Sequence, residues 1–238
     1  MDNSEKSEEE YWRNYYNDYE IIGKGKDLHL NISRTRRGET VSDEVWNQTI
    51  AYMKDLLEIN KQTVLLELCC GNGLVSGELA PSCKEVFGVD YSETLLGQFK
   101  KRYSSENINL ICSDVNRFVI EKNKFDVILI YFSIQHFNER DSFLLIEKCI
   151  NSISPKGKIL IGDIPDLDKK WRYINKDEYH RDYFHRLVNL SPKIGNWFQK
   201  DFFLAMNSCY KETSFHVLEQ PSYQINSDYR FDVLISKQ

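Results

Sequence analysis

From residue 64 onward, short continuous apolar runs alternate with stretches in which apolar residues recur every three or four positions. The runs are VLLEL (64–68), EVFGV (85–89), INLIC (108–112), FDVILIY (125–131) and GKILIGD (157–163). Between them, 73–80, 92–103 and 139–152 carry helical spacing, with a short helix also expected near 116–121. Runs rich in β-branched residues, without polar alternation, are what strands buried on both faces require. Helices between them supply the crossovers that parallel strands need. The expected fold class is therefore α/β: a doubly wound, mostly parallel sheet with helices on both faces. After 165 the rhythm changes. Residues 166–205 form a polar and aromatic insert, and two last runs, 213–219 and 229–236, are joined by a connection holding Pro221 and Asn226. That connection is too short for a helical crossover, so these strands should pair antiparallel at the edge.

Ahead of the sheet pattern, YWRNYYNDY (11–19) predicts an aromatic-rich helix whose ring-bearing face needs a partner. Residues 29–40 read as a loop with a glycine turn, and 42–59 as an amphipathic helix in which Trp46, Ile50, Met53 and Leu57 recur at three- and four-residue steps. Ser42 followed by two acids suits that helix's N-terminus.

Composition narrows the picture. With 238 residues and 41% hydrophobic content, one sizeable domain with added segments is expected. No apolar run approaches the roughly 18 residues of a membrane span, and MDNSEKSEEE at the start has neither the basic lead nor the apolar core of a signal peptide. A cytoplasmic location without membrane insertion is expected. A formal charge of −5 offers no general attraction to nucleic acid. The six cysteines include adjacent Cys69 and Cys70, which suit tetrahedral zinc poorly. They read as small reduced hydrophobes, and no metal is expected. His180 and His185, five apart, would not share one helix face.

The chemistry concentrates in VLLELCCGNGL (64–74), a strand that carries Glu67 and runs into Gly71 and Gly73 before a helix. In an open parallel sheet, ligands bind beyond the carboxyl ends of the strands. Glycines there permit a sharp turn and close backbone approach. A dinucleotide would bring a pyrophosphate to that turn, which a neighbouring carboxylate repels, and the third glycine of that fingerprint is Ser76 here. A cationic, phosphate-free nucleoside, S-adenosylmethionine, suits Glu67 better. Asp90, closing the second run 23 positions later, sits at the ~20-residue offset of a ribose-binding acid, although it could also cap the next helix. Asp114 closes the third run, where its carboxylate suits an adenine amino group and the Val115 amide a ring nitrogen.

With these acids in place, the chain resembles the class I S-adenosylmethionine-dependent methyltransferases of small-molecule type. VLLELCCGNG resembles their first motif, VFGVDYS the second, CSDV the third and FDVILIYFSIQHF the fourth, with Cys69 where the family has a glycine. The resemblance implies a seven-stranded sheet in the order 3-2-1-4-5-7-6 with the last strand antiparallel. It also implies cofactor contact through Glu67, Gly71, Gly73, Asp90, Asp114 and Val115; Cys69, Tyr91 and Tyr131 are further cofactor-binding candidates at the same strand ends. Residues 1–60 would then be an N-terminal helical or lid extension, and 61–238 a Rossmann-like methyltransferase domain bearing a substrate-covering insert at about 166–205. His136, just past the fourth strand, is the candidate general base; a packing or cofactor-orienting role is the alternative. Arg34 and Arg37 are candidates to hold an anionic group on the acceptor, or else belong to a solvated turn. Tyr183 is a candidate substrate contact in the insert. GETVSDEVW (38–46) loosely resembles enzymes acting on small metabolites or saccharide precursors. The expected reaction is methyl transfer to an oxygen or nitrogen of a small metabolite, a saccharide or nucleotide-linked sugar among the options. The alternatives are an NAD(P)-dependent oxidoreductase and a non-catalytic partner subunit.

Overall fold

A computed structural model describes residues 8–18, 28–32, 34–36, 38–191 and 194–238. In chain order the helices and strands are α1 (Glu8–Asn17), α2 (Leu28–Asn31), α3 (Asp43–Leu56), β1 (Val64–Leu68), α4 (Ser76–Leu79), β2 (Glu85–Asp90), α5 (Glu93–Arg102), β3 (Ile108–Cys112), β4 (Val127–Tyr131) and α6 (Glu139–Ser152). They continue with β5 (Lys158–Pro165), α7 (Lys170–Tyr173), α8 (Asp177–Val188), α9 (Lys200–Met206), β6 (Thr213–Glu219) and β7 (Arg230–Lys237). Helix starts are set by side-chain caps: Ser42 Oγ accepts from the Val45 N–H, Ser92 Oγ from Leu95 and Asn138 Oδ1 from Asp141.

Among the described residues, seven strands form one sheet in the order β3-β2-β1-β4-β5-β7-β6. The first five are parallel, and β7 runs antiparallel to both neighbours. Alternation along β4 shows why its run is apolar throughout. Ile128 and Ile130 face a core shared with Leu145, Ile146 and Cys149 of α6 and Phe203 of α9. Val127, Leu129 and Tyr131 face a second core with Trp46 and Met53 of α3 and Leu79 of α4. Residues 43–59 are thus packed into the sheet's own core. No helix among the described residues is long and apolar enough to cross a membrane.

The expected helix near 116–121 does not form. After β3 the chain makes a single turn at 115–117 and then runs without regular structure, leaving Val119 80% exposed between half-buried Phe118 and buried Ile120. That alternation brings Ile120 into the core with Phe125; one helical face would not carry both.

Candidate active site

The strand ends carry the strain. Cys69 just past β1, Phe132 just past β4 and Asp163 within β5 hold φ values of +57°, +59° and +61°, a left-handed region uncommon for residues with a Cβ. Such positions persist where the surroundings over-determine them, commonly at functional sites. Asp163 lies where the β5–β7 register shifts between Ile161 and Ile164.

After Cys69 the turn continues through Gly71 (φ +53°) and Gly73 (φ +79°). Their roles differ. Gly71 faces the cavity that opens beyond the strands. Gly73 does not line it; a Cβ there would fall 2.5 Å from the Phe99 ring, so this glycine lets α5 pack against the turn.

The cavity is about 490 Å³. Of the residues singled out in the sequence, Glu67, Cys69, Gly71, Asp90, Tyr91, Asp114, Val115, Tyr131, His136 and Arg34 all line it. Tyr183 is elsewhere, among the insert's rings: it packs against Trp171 and Phe184, and Lys170 Nζ donates to its hydroxyl at 2.6 Å. Arg37 lies outside the described residues.

The two deepest acids are held by main chain. Glu67, 2% exposed, accepts the Ser76 N–H at 3.0 Å, and burial pushes its carboxyl up to about 8. Asp90 accepts from the Gly71 N–H at 2.8 Å with one oxygen and from the Ser92 N–H at 2.9 Å with the other. Burial raises it to about 6, opposed by those amide bonds. Asp90 therefore anchors the glycine turn and holds Ser92, the N-cap of α5, at once.

His136 sits on a short 3-10 turn, Ile134–His136. Its ring lies 4.4 Å from that of Trp12 and 5.6 Å from that of Tyr16, both on α1. Burial, aided by Arg230, depresses its pKa to about 3, so the imidazole is neutral throughout the physiological range. The partner required by the aromatic face of α1 is thus this rim. Tyr91 donates its hydroxyl to the Trp12 carbonyl at 3.0 Å and Ser92 Oγ to the Tyr16 carbonyl at 2.6 Å.

Arg34 is 2% exposed. Its guanidinium donates to Tyr131 Oη at 3.1 Å and Asp163 Oδ2 at 3.4 Å, stacked 4.6 Å from Trp46 and 4.7 Å from Tyr131. Behind it, Gln220 Nε2 bridges Asp163 and Asp232, and Arg230 donates to the Asp163 carbonyl. Burial lifts Asp232 to about 7. Arg34 is a fixed wall of the cavity, with its Nε buried and unpartnered, and no solvated turn.

Sequence reasoning did not place Trp12, Tyr16, Trp46, Phe132 or Asn196 in this lining. The unpaired ring face of 11–19 was the available signal for the first two. Asn196 carried none: it reaches the cavity because its side-chain amide donates to the carbonyls of Gln135 and Phe137, at 3.2 and 3.0 Å. This ties the end of the insert to the His136 turn.

Residues 65–157 match the family of methyltransferase domains. A ubiquinone biosynthesis O-methyltransferase of Coxiella burnetii is 32% identical over 174 residues, covering 72% of this chain and 64% of that protein. The chain thus spans a little under two thirds of that relative. Among solved structures, Haemonchus contortus phosphoethanolamine N-methyltransferase 1, in complex with phosphoethanolamine and S-adenosylhomocysteine, superposes with a TM-score of 0.71 at 11% identity, over 97% of this chain and 49% of that one. Magnesium protoporphyrin IX methyltransferase of Synechocystis PCC 6803, with bound S-adenosylhomocysteine, gives 0.66 at 12% identity, over 98% and 100%. These two share the fold. The matched segment runs from within β1 to the residue before β5 and bears every acid of the cavity floor, and the whole sheet has the strand order that the four motifs implied: the chain carries a methyltransferase domain on the class I S-adenosylmethionine-dependent methyltransferase fold.

Proposed function

We propose that the protein transfers a methyl group from S-adenosylmethionine to an oxygen or nitrogen of a small metabolite. The observation that carries this reading is the set of three acids, Glu67, Asp90 and Asp114, at the ends of adjacent strands and lining one cavity. The residues fit the cofactor. A carboxyl held near 8 by burial gains a counter-ion when an ammonium arrives, whereas a pyrophosphate would add like charge. In this reading Asp90 takes the ribose hydroxyls, with Tyr91 beside it, and Asp114 with Val115 the adenine edge; Cys69, Gly71 and Tyr131 form the wall between, a reading supported by their all lining one cavity. Gly73 acts indirectly by shaping the turn.

When bound, S-adenosylmethionine supplies an electrophilic methyl group on a sulfonium. The chain's own task is to exclude water, hold the acceptor in line, and take its proton where one must leave. His136 stands at the rim as a neutral acceptor for that proton. Its depressed pKa makes it a weak base while Trp12 and Tyr16 cover it, and uncovering the ring would raise its basicity.

The acceptor we favour is small and anionic or polar, a saccharide or nucleotide-linked sugar being the specific candidate. The buried Arg34 and the GETVSDEVW segment support it. The relatives named above act, by their descriptions, on oxygen in one case and nitrogen in another, so they support methyl transfer without choosing the atom. A cytoplasmic setting is supported by six cysteines that are all unpaired. The test is calorimetric titration with S-adenosylhomocysteine and, separately, with NAD⁺ and NADP⁺, followed by an acceptor screen read by S-adenosylhomocysteine release. Binding of the first alone, with turnover on one acceptor class, is expected. Tight dinucleotide binding without S-adenosylhomocysteine binding would overturn the proposal.

A further inference from the structure

The connection from Cys112 to Val127 contains no helix or strand, yet through Asp114, Val115 and Asn116 it forms one end of the cavity. Three N–H groups of its first turn are satisfied locally: Asp114 Oδ1 accepts from Asn116 at 2.9 Å, and the Asp114 carbonyl from Arg117 at 3.0 Å and Phe118 at 2.9 Å. Two carbonyls of that turn are bonded by one side chain from outside. Lys148, on α6, donates its ammonium both to the Val115 carbonyl and, at 3.0 Å, to the Phe118 carbonyl.

Lys148 is an unexpected residue for that place. Its neighbours Leu145 and Cys149 are buried in the sheet core, and Lys148 is itself half-buried. Burial lowers its pKa, with Cys149 and Asp114 acting the other way. A leucine or methionine would pack there without desolvating a charge. What the ammonium provides in exchange is a pair of charge-assisted bonds that close a turn having no ladder of its own.

We propose that Lys148 is a positioning residue: it fixes the 114–118 turn so that Asp114 and Val115 read the base of the bound nucleoside, setting affinity and base selectivity without touching the ligand. This rests on the reading of the cavity as an S-adenosylmethionine site. Reading a base edge requires donors and acceptors held to within ~0.5 Å, which a turn lacking sheet or helix bonds does not achieve alone.

The test titrates the full chain, K148M and K148R with S-adenosylhomocysteine and with S-inosylhomocysteine, in which a carbonyl oxygen replaces the adenine amino group. Wild type should prefer the adenine form. K148M should weaken S-adenosylhomocysteine binding about tenfold, the effect of losing one hydrogen bond between the base and Asp114, and should narrow the preference. K148R, which keeps the donors, should restore most of both. Should K148M not fold, K148Q, with a shorter neutral donor, makes the same comparison. A variant that binds both nucleosides with wild-type affinities, or weakens both equally with the preference intact, sinks the positioning role alone. A wild type that binds neither sinks the cofactor reading instead.

Discussion

The floor and the rim of the cavity are held by different forces. On the floor, Glu67 and Asp90 are fixed by backbone N–H groups of Ser76, Gly71 and Ser92. Those groups are placed by β1, β2 and the helices that follow, so the floor's geometry depends on main chain and little on neighbouring side chains. The rim is the reverse. Trp12 and Tyr16 meet His136 through ring contacts, α1 is tied down by the hydroxyls of Tyr91 and Ser92, and Arg34 is locked by other side chains. A floor built from main chain suits a cofactor common to a whole family, while a rim built from side chains can change with the acceptor.

The sharpest way to break this division is at its chemical end. His136→Ala should lower kcat by ~10²–10⁴-fold if the imidazole takes the acceptor's proton, with S-adenosylhomocysteine affinity largely retained. Turnover at the wild-type rate would leave His136 a packing partner of α1 and remove chemistry from the rim. On the floor, Asp90→Ala should weaken S-adenosylhomocysteine binding by ~100-fold, since one or two hydrogen bonds to a charged group are lost at ~1.5–3 kcal/mol each. The same substitution releases the Gly71 and Ser92 amides, so Asp90→Asn is the control that keeps one acceptor. Calorimetry reads both, and wild-type affinity in Asp90→Ala would show that the ribose lies elsewhere.

The floor was largely legible in the sequence and the rim was not, for the same reason. Glu67, Asp90 and Asp114 are strand-end residues, and a run such as VLLEL announces where a strand stops, so register alone places the acids together. The antiparallel edge was legible from a connection too short to cross over. The rim depends on long-range contacts without periodic signature: Arg34 reaches Asp163 across 129 positions, and Asn196 reaches Gln135 across 61. Tyr183 looked like a substrate contact because it is one ring among many in the insert, and in the structure it packs on Trp171 and Phe184 away from the cavity. The helix expected near 116–121 filled the interval between two strand runs, and a turn followed by irregular chain with Val119 outward fills it equally well.

Titration sharpens the comparison further. Glu67 has a folded pKa of about 8, above its ordinary 4.5, because of burial. The stability this neutral carboxyl contributes is complete below 4.5 and is lost as pH rises through 8. A ligand ammonium binds the ionised form, so S-adenosylhomocysteine affinity should rise with pH between 6 and 8, by up to ~10-fold per pH unit well below the pKa. The thermal shift it produces should grow in the same direction. A flat profile, or one unchanged in Glu67→Gln, would separate the ligand's ammonium from Glu67.

The smallest expected effect belongs to the rim's packing. Trp12→Ala removes the ring lying nearest His136, 4.4 Å away and tilted by 60°, and opens the imidazole to water. Burial is the leading cause of its depressed pKa of about 3, so the resonance should titrate closer to its ordinary 6.5, a change proton NMR follows directly. The closed rim excludes the imidazolium. Its stability is therefore complete above 6.5 and declines as pH falls toward 3, which makes acid favour the open form in wild type and much less so in Trp12→Ala. S-adenosylhomocysteine should leave the variant only a few-fold faster, since the floor still holds it and lost packing acts mainly on dissociation. A His136 titration unchanged by Trp12→Ala would mean that α1 shields nothing, and the rim would reduce to Arg34 and its partners.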